Sequence, residues 1–531
     1  MLHRSRQAVA APDSSLVDDL LAGGTFPHAE DSPELVETHI SWVILAGEYA
    51  YKIKKPLRLP FLDFSTLELR RHFCEEELRL NRPTAPDIYI DVVAITMANG
   101  RPRVGGNGEA IEYAVRMRRF DQSLRLDAQL EAGRLSVRDM RELGEVVAAR
   151  HETARRIDAG RRDHQVHTTK RFIRDNFAAL DGFLDESMLA ALHDWSERDI
   201  EARKGLFAER FDKGLVRECH GDLHLGNLVR LESGIALFDC IEFDEDLRAI
   251  DVMCDVGFLA MDLVARGRRD LAAHFTNRYL ERSGDYAGIA LLDTYFVYRC
   301  LVRAKVEAIS SQECTLEAER RQHLAEARRY AEIALRQTRK PEPFLVLMHG
   351  LSGSGKTWLS ARLMAALPAI RVRSDIERKR LFGLDERQAS GSTVAGGIYT
   401  SESTDRVYAT LDAHAGALLN NRHTVLLDAA FLEQCRRATA INTAREAGCS
   451  ALILHAEATP DLLRRRIAAR SAAGSDASEA GLAVLEHQLA AYEPLTDDES
   501  VPVITCDTGQ DPDIERLATT LRDAAKRDEA A

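Results

Sequence analysis

The segment FLVLMHGLSGSGKTWLS constrains the fold of this chain more than any other part of the sequence. It contains the pattern GxxxxGK followed by Ser or Thr, formed by Gly350, Gly355, Lys356 and Thr357. Glycines let the backbone curl so that its N–H groups point at phosphate oxygens, while a lysine reaches the β- and γ-phosphates and a hydroxyl coordinates Mg²⁺. Since an apolar run precedes the loop and a helical pattern follows it, we predict a strand, a phosphate-binding loop and a helix. The loop residues expected to hold the nucleotide are Gly350, Ser352, Gly353, Ser354, Gly355, Lys356 and Thr357.

The region after this loop has the pattern of an α/β domain. Helical segments alternate with apolar runs at residues 344–348, 424–427 and 451–454. Such alternation is typical of a parallel sheet covered by helices. Before the loop, residues 315–338 have a charged helical pattern whose apolar stripe predicts packing on the preceding domain. Two prolines, at positions 341 and 343, end that helix, so we place the main domain boundary near residue 340.

Asp375 is a candidate for the group that orients the acceptor of a phosphoryl group. It follows the run IRVRS, and Arg378 lies three residues further along. A carboxylate at this point can accept the proton of an attacking hydroxyl, and the arginine can hold substrate or phosphate. The alternative is an ordinary helix start, with Ser374 or Asp375 as its cap.

Two further patterns suit phosphoryl transfer. Asp428 ends the apolar run TVLLD and suits a metal-binding carboxylate of the Walker B type or a substrate contact; the alternative is a turn at a strand end. Arg466 and Arg470 lie four residues apart in DLLRRRIAAR, on one face of a predicted helix. Such a pair can close over phosphates as a lid and neutralise charge in the transition state. The alternative is a basic helix that faces solvent.

The loop, the SDxxRK element, the DAxF strand end and the RxxxR pair together resemble the P-loop kinases related to gluconate kinase, polynucleotide 5′-hydroxyl kinase and zeta-toxin-type sugar kinases. The resemblance covers residues 341–510. It implies that Asp375 contacts or deprotonates the acceptor hydroxyl. It does not define the acceptor, because only the phosphate loop is a highly specific motif.

A second cluster of candidate residues lies in ECHGDLHLGNLVRLESGIALFDCIEFD, at residues 218–244. Asn227 follows Asp222 by five residues, and Asp239 ends the next apolar run. Phosphoryl transfer on a kinase scaffold needs a carboxylate that orients the acceptor hydroxyl, together with an amide and a second carboxylate that hold Mg²⁺. Asp222 suits the first role, and Asn227 and Asp239 suit the other two.

The pattern HGDxxxxN, followed by an apolar strand that ends in Asp, closely resembles the aminoglycoside phosphotransferase and choline kinase group. The resemblance covers residues 35–335 and implies a protein-kinase-like fold. It implies a phosphate-binding lysine in AYKIKK, first Lys52 and then Lys54. It also implies an acidic partner for that lysine in CEEELRLN, either Glu77 or Glu76. No GxGxxG pattern precedes the first predicted hairpin, which leaves open a degenerate, non-catalytic first domain.

Local patterns support an α+β arrangement before the boundary. They predict two strands within residues 40–54 around a turn at 46–48, a helix over 66–81 and a strand over 112–120. The whole chain resembles bacterial two-domain proteins that fuse an aminoglycoside phosphotransferase-like domain to a P-loop ATP-binding domain. We therefore predict an α+β kinase-like domain followed by an α/β P-loop domain with a parallel sheet. The predicted parts are an N-terminal extension (1–34), an N-lobe (35–118), a C-lobe with a linker helix (119–338) and the P-loop domain (341–531).

The leading functional hypothesis is a bifunctional enzyme that uses ATP and Mg²⁺ in both domains to phosphorylate hydroxyl groups of small molecules. Two alternatives are a nucleotide-binding regulator with a degenerate N-terminal domain, and a nucleic-acid end kinase in the C-terminal domain. The latter would use a groove of basic residues formed by Arg371, Arg373, Arg378, Lys379 and Arg380. The formal net charge of -13 counts against nucleic acid as a partner.

No run of the sequence approaches the ~20 apolar residues of a membrane span, and the first residues lack the apolar segment of a signal peptide. The nine cysteines are scattered without the spacing of a zinc site. These features predict a cytoplasmic protein with reduced thiols and no membrane partner. The sequence predicts neither an oligomeric state nor the identity of either acceptor.

Overall fold

The computed structural model describes residues 14–22, 25–26, 28, 32–59, 62–386, 388–392, 396–473, 481–496 and 499–530. The first elements are α1 (Ser15–Leu21), β1 (Glu34–Glu37), β2 (Ser41–Ala46), β3 (Tyr49–Lys54), β4 (Arg58–Leu59), β5 (Leu62–Asp63), α2 (Leu67–Asn81), β6 (Tyr89–Ala98), β7 (Arg101–Val104), β8 (Ala110–Arg118) and α3 (Leu126–Glu131). They are followed by α4 (Val137–Thr153), α5 (Arg162–Leu180), α6 (Glu186–Ala202), α7 (Lys204–Asp212), β9 (Val216–Glu218), β10 (Leu228–Leu231), β11 (Gly234–Leu237), α8 (Glu245–Arg248) and β12 (Ala249–Asp251).

Three long helices then precede the predicted boundary, and an alternation of strands and helices follows it. The three helices, after α9 (Val252–Ala265), are α10 (Arg269–Ser283), α11 (Ile289–Glu313) and α12 (Glu317–Gln337). The remaining elements are β13 (Phe344–His349), α13 (Lys356–Ala366), β14 (Ile370–Arg373), α14 (Ser374–Leu381), α15 (Ser401–Asn420), β15 (Val425–Asp428), α16 (Gln434–Glu446), β16 (Ser450–Glu457), α17 (Pro460–Ala473), α18 (Leu482–Ala491), β17 (Val503–Asp507) and α19 (Ile514–Ala530).

The chain divides into two compact units, which we call the first and the second unit. The first unit comprises Met1–Leu135, Thr153–Phe172 and Lys204–Leu259. The second unit comprises Ser136–Glu152, Ile173–Arg203 and Ala260–Ala531. Helices α10, α11 and α12 therefore group with the elements that follow residue 340. The domain boundaries predicted from the sequence stay predictions.

An antiparallel sheet of six strands, in the order β1-β2-β3-β8-β6-β7, forms the main layer of the first unit. The predicted hairpin is confirmed, because β2 and β3 pair through a turn in which Gly47 has φ +57°. Helix α2 packs on this sheet and buries Cys74 and Leu80. The side chain of Thr66 caps its first turn by accepting from Leu69 N–H. The helix expected over 66–81 is therefore confirmed.

A loop and a hairpin lie between the paired strands β9 and β12 of the first unit. The hairpin is formed by β10 and β11, in which Leu228 pairs with Leu237. The backbone N–H of Phe238 also donates to the carbonyl oxygen of Asn227 at 3.1 Å. This pairing brings the residues just before β10 next to those just after β11, so Asn227 lies close to the chain at Asp239.

The second unit contains a parallel sheet of five strands in the order β14-β15-β13-β16-β17. Strands β13, β14 and β15 are buried along their whole length, as expected of parallel strands covered on both faces. Helices α13 and α19 share one apolar cluster with the sheet, to which Leu359, Leu363 and Leu521 contribute. The α/β domain with a parallel sheet is therefore confirmed.

The apolar stripe of α12 packs as its sequence predicts. Ala327 and Ala331 are fully buried, and α12 lies along α11 of the same unit. Among the helices that the structure describes, none combines the length and apolar character needed to cross a bilayer.

Candidate functional site

The phosphate loop of the second unit joins β13 to α13. Gly350 has φ +140°, and a Cβ atom at this position would lie 2.7 Å from the carbonyl oxygen of Ala456. A larger residue would therefore clash with the backbone of the neighbouring strand, which explains the need for glycine at this position. Helix α13 begins at Lys356, directly after the loop, so its N-terminal N–H groups lie at the site where phosphates are expected.

Two basic side chains contact the backbone of this loop. Lys356 Nζ donates to the carbonyl oxygens of Gly350, at 2.7 Å, and Leu351, at 2.9 Å. Arg466 Nη1 donates to the carbonyl oxygen of Gly353 at 3.3 Å, and its Nη2 donates to the carbonyl of Thr508 at 2.6 Å. Arg466 thus lies at the phosphate loop. The side chain of Arg470 lies outside the part of the chain that the structure describes.

A carboxylate and two hydroxyl groups meet where β15 ends beside α13. Asp428 is buried, with one carboxylate oxygen 3.3 Å from Thr357 Oγ1 and the other 2.9 Å from Ser360 Oγ. Magnesium prefers oxygen ligands of this kind, usually one or two carboxylates with waters and substrate phosphates. Asp428 and Thr357 therefore fit the metal of a metal–nucleotide complex. Ser360 is a partner of Asp428 that the sequence patterns do not indicate.

A cleft of about 1200 Å³ opens beside the loop and is lined by Ser352, Gly353, Gly355, Lys356, Thr357 and Asp428, among others. Asp375 lines the same cleft from the first turn of α14. The capping alternative for this carboxylate is wrong, because the cap residue is Arg373 and Asp375 lies within the first turn of the helix. Gly350 and Ser354 lie in the loop behind these lining residues.

Two arginines that line the cleft lie over tyrosine rings. Arg378 lies 4.9 Å from the ring centre of Tyr399, and Arg436 lies 4.4 Å from that of Tyr408. Burial lowers the pKa of Arg378. Sequence analysis indicates Arg378 but misses Arg436 and both tyrosines, since their approach to the cleft depends on the packing of α15, of α16 and of the 3₁₀ turn Gly397–Tyr399.

The basic groove considered for nucleic acid does not exist as an exposed surface. Four of its five members are buried: Arg371, Arg373, Arg378 and Lys379. Arg371 pairs with Glu281, and Arg373 lies 3.7 Å from Glu386. These two arginines are neutralised inside the second unit, and the buried members cannot present a basic strip to a nucleic-acid backbone.

In the first unit, two lysines of β3 meet one carboxylate of α2. Lys52 Nζ contacts Glu77 Oε1 at 2.8 Å and Asp239 Oδ1 at 2.5 Å. Lys54 contacts the other oxygen of Glu77 and a carboxylate oxygen of Glu242. Acidic and basic side chains therefore alternate in a row of five contacts, in the order Asp239, Lys52, Glu77, Lys54 and Glu242. Both candidate lysines contact Glu77.

The neighbouring Glu76 faces a different set of partners. Its carboxylate accepts from Arg79 at 2.9 Å and contacts Arg248 at 3.3 Å. Of the two acidic residues considered as the lysine partner, the structure places Glu77 there. Burial alone would raise the pKa of Glu77, but Lys52 and Lys54 lower it to about 2, so this carboxyl is ionised.

The loop before β10 holds Asp222 and Asn227 together. Asn227 Nδ2 donates to a carboxylate oxygen and to the backbone carbonyl of Asp222, both at 3.0 Å. The backbone N–H groups of His220 and Gly221 donate to Asp255 at 2.8 and 3.0 Å, which anchors the loop. Gly221 has φ +82°, and a Cβ there would lie 2.8 Å from the carbonyl oxygen of Leu247. The loop therefore requires glycine at this position.

His220 fixes the same loop from inside. Burial lowers the pKa of His220, so the ring is neutral. Its Nε2 lies 2.9 Å from the carbonyl oxygen of Phe238, and its Nδ1 accepts from the N–H of Asp222 at 3.3 Å. The tautomer with the proton on Nε2 satisfies both contacts. His220 thus ties the chain at Asp222 to the chain just before Asp239.

Asp239 has a left-handed backbone, with φ +62°, and its side chain is 44% exposed. Its N–H donates to the hydroxyl of Tyr89 at 3.1 Å, and the next N–H, of Cys240, donates to Asn81 at 2.8 Å. An uncommon conformation held by two specific bonds directs this carboxylate out of the core toward Lys52. With Asn227, it offers the oxygen ligands that suit Mg²⁺.

Two family models match the two parts of the chain. One described as a phosphotransferase enzyme family matches residues 122–292, and one described as an AAA domain matches residues 345–495. Together with the sheets described above, they show a kinase-like phosphotransferase domain followed by an α/β P-loop domain. The chain is therefore an enzyme of the phosphotransferase class.

Several proteins are similar to this chain over long stretches. The solved structure of a choline/ethanolamine kinase family protein from Mesorhizobium loti is 13% identical, with 60% of this chain and 97% of that chain covered and a TM-score of 0.37. That of a gluconokinase from Sinorhizobium meliloti is 20% identical, with 36% and 97% covered and a TM-score of 0.26. An uncharacterized protein of Mycobacterium tuberculosis is 31% identical over 446 residues, which are 83% of this chain and 87% of the relative. The chain belongs to the same family as this mycobacterial protein.

Proposed function

We propose that the chain is a bifunctional phosphotransferase with one site in each unit. Each site uses ATP and Mg²⁺ and transfers the γ-phosphoryl group to a hydroxyl group of a small molecule. The observation that carries this proposal is that each unit brings together a lysine for phosphates, oxygen ligands for a metal and a further carboxylate for the acceptor. A nucleotide-binding regulator would need only the first two.

In the first unit, Lys52 binds nucleotide phosphates and Glu77 holds this lysine in place. Asn227 and Asp239 are the metal ligands, and a bound Mg²⁺ supplies positive charge that neutralises the phosphates. Asp222 orients the acceptor hydroxyl and takes its proton while the new oxygen–phosphorus bond forms and the bond between the γ-phosphorus and the departing ADP breaks. Its contact with Asn227 holds the carboxylate at a set orientation beside the metal ligands.

In the second unit, the loop N–H groups and Lys356 bind the phosphates, for which Lys356 exchanges its contacts with Gly350 and Leu351. Thr357 and Asp428 hold the metal. Asp375 accepts the proton of the acceptor hydroxyl in the cleft, and Arg466 balances the charge that develops on the phosphoryl group. The position of Arg466 against the loop backbone supports this last role.

We also place the protein in the cytoplasm. All nine cysteines carry free thiols. Six of the nine are buried: Cys74, Cys219, Cys240, Cys254, Cys300 and Cys506. Reduced thiols are typical of a reducing compartment. Small-molecule acceptors and ATP are the partners that this proposal requires.

A screen of metabolite extracts with γ-labelled ATP tests the proposal. The wild-type chain should label at least two products, one or more from each site. Asp222→Asn should remove the products of the first unit, and Asp375→Asn should remove those of the second unit. Asp523→Asn, an exposed change on α19, serves as the matched control and should label the wild-type set. If both active-site variants label the same products as the wild type, neither carboxylate orients an acceptor. If one of them removes every product, the chain has a single catalytic site.

A further inference from the structure

Helix α10 is bonded to β14, the strand that follows the phosphate-loop helix. Asn277 of α10 donates through Nδ2 to the carbonyl oxygen of Ala369 at 3.0 Å. Its Oδ1 accepts from the backbone N–H of Arg371 at 2.7 Å. The helix lies within the segment that matches the phosphotransferase family, whereas Ala369 and Arg371 lie within the segment that matches the AAA domain. All three residues belong to the second unit.

One turn further along α10, Glu281 forms a buried ion pair with Arg371. Its Oε1 accepts from Nη2 of Arg371 at 2.6 Å and from Nε at 3.2 Å. The two residues are 3% and 5% exposed. Burial alone would raise the pKa of Glu281, but Arg371, Arg373 and Arg278 lower it to about 2. The carboxylate is therefore charged and holds the guanidinium in one orientation.

The third nitrogen of that guanidinium points at the phosphate-loop helix. Nη1 of Arg371 donates to Ser360 Oγ at 3.3 Å and to the carbonyl oxygen of Thr357 at 3.4 Å. Arg371 occupies a lone pair of the Ser360 hydroxyl, whose single proton has two acceptors within reach. They are the carbonyl oxygen of Thr357 at 3.2 Å and the carboxylate of Asp428 at 2.9 Å, and the shorter contact to the charged carboxylate is the stronger one. The other oxygen of Asp428 faces Thr357.

We propose that Glu281 is a positioning residue of the phosphate-loop site. It orients Arg371, which with Ser360 holds Asp428 in the orientation that binds the metal with Thr357. This inference rests on the proposed metal-binding role of Asp428. It means that helix α10, in the phosphotransferase-family segment of the chain, contributes to the site built by the AAA-domain segment.

The variant Glu281→Gln in the full chain tests this role, because it keeps the side-chain shape and removes the charge. ATP binding is measured for each variant with and without the additional change Lys356→Ala. The difference between the two is the binding at the phosphate loop. The Mg²⁺ concentration needed for half of that binding should rise by about 10- to 100-fold, as is usual when a partner of a metal ligand is lost. Amide hydrogen exchange of residues 356–363 without nucleotide should also become faster.

A matched control separates this role from a general loss of stability. Glu499 and Arg437 form another buried ion pair of the second unit, with Nε of Arg437 3.0 Å from the carboxylate. The variant Glu499→Gln removes the negative charge of this pair. It should lower the melting temperature without changing the Mg²⁺ dependence or the exchange of residues 356–363. Ser360→Ala leaves the Glu281–Arg371 pair intact and should reproduce the change in Mg²⁺ dependence, which covers the case that Glu281→Gln does not fold.

Three results would overturn the inference. Wild-type Mg²⁺ dependence in a folded Glu281→Gln, or in Ser360→Ala, would show that the bonded chain from Glu281 does not act on the metal site. An equal change in Glu499→Gln would show a non-specific effect of lost stability. If ATP binding by the wild-type chain depends on neither Lys356 nor Mg²⁺, the proposed function of this site is wrong, and the proposed role of Glu281 is wrong with it.

Discussion

Replacing Lys54 by methionine should destabilise the first unit strongly, by about 3–5 kcal/mol, the usual cost of leaving a buried charge without its partner. Lys54 is fully buried between Glu77 and Glu242, which are 0% and 4% exposed. Methionine fills a similar volume but neutralises neither carboxylate. Burial raises the pKa of Glu242, so in Lys54→Met this carboxyl can take up a proton, which recovers part of the lost stability.

Replacing Lys52 by methionine should have a smaller effect on stability and a large effect on ATP binding. After Lys52→Met, Glu77 keeps its contact with Lys54, and Asp239 is exposed enough to be hydrated. The loss of stability should therefore be smaller than in Lys54→Met, about 1–3 kcal/mol, the usual cost of removing one partner of a buried polar group. Lys52 is itself 12% exposed and faces the proposed phosphates. Losing a charged hydrogen bond worth ~1.5–3 kcal/mol should weaken ATP binding by about 10- to 150-fold.

Guanidinium unfolding without ATP measures the first effect, since bound ligand would itself stabilise the unit. Trp42 lies buried in β2 and reports on this sheet when Trp195 and Trp358 are replaced by phenylalanine. Calorimetric titration with ATP and Mg²⁺ measures the second effect. If Lys54→Met costs no more stability than Lys52→Met, Lys54 is not the buried charge that holds Glu77 and Glu242. If Lys54→Met folds normally and loses ATP affinity while Lys52→Met binds like the wild type, Lys52 is not the phosphate-binding lysine.

Three further predictions concern the two carboxylates proposed to orient the acceptors and the buried Glu281. Asp222→Asn and Asp375→Asn should each leave ATP affinity nearly unchanged and lower turnover at their own site by ~10²–10⁴, which single-turnover transfer measures; a collapse of ATP affinity would instead make either residue a nucleotide or metal ligand. Glu281 has a folded-state pKa of about 2, below its unfolded value, so its stabilisation is present above the unfolded pKa and is lost as the pH falls toward 2. Urea unfolding between about pH 5 and pH 2 should therefore show a shallower loss of stability in Glu281→Gln than in the wild type, and equal slopes would contradict the assignment.

The sequence is most informative where one local pattern determines the structure. The loop from Gly350 to Thr357 needs its own glycines, and the parallel strands around it are buried on both faces and read as continuous apolar runs. The hairpin of β2 and β3 and the helix α2 likewise follow from a turn and a cap next to periodic patterns. These features depend on neighbours within a few residues, so local sequence patterns are enough to predict them.

The rest depends on residues that are distant in the sequence. Strand β6 is not predicted, because the segment from Tyr89 to Ala98 is almost entirely apolar and lacks the polar–apolar alternation of a half-buried strand. Glu242 and Lys54 are 188 positions apart, and Glu281 meets Arg371 across 90 positions. No spacing rule reveals such pairs. For the same reason, the sequence suggests Arg371 as part of a basic surface, whereas it is a buried partner of a glutamate.

Counting bound ATP shows whether each unit has a nucleotide site of its own. Calorimetric titration with ATP and Mg²⁺ should give two sites for the wild-type chain, one for Lys356→Ala, one for Asp239→Ala and none for the double variant. A single site in the wild-type chain that Lys356→Ala abolishes would contradict the account, because the first unit would then bind no nucleotide.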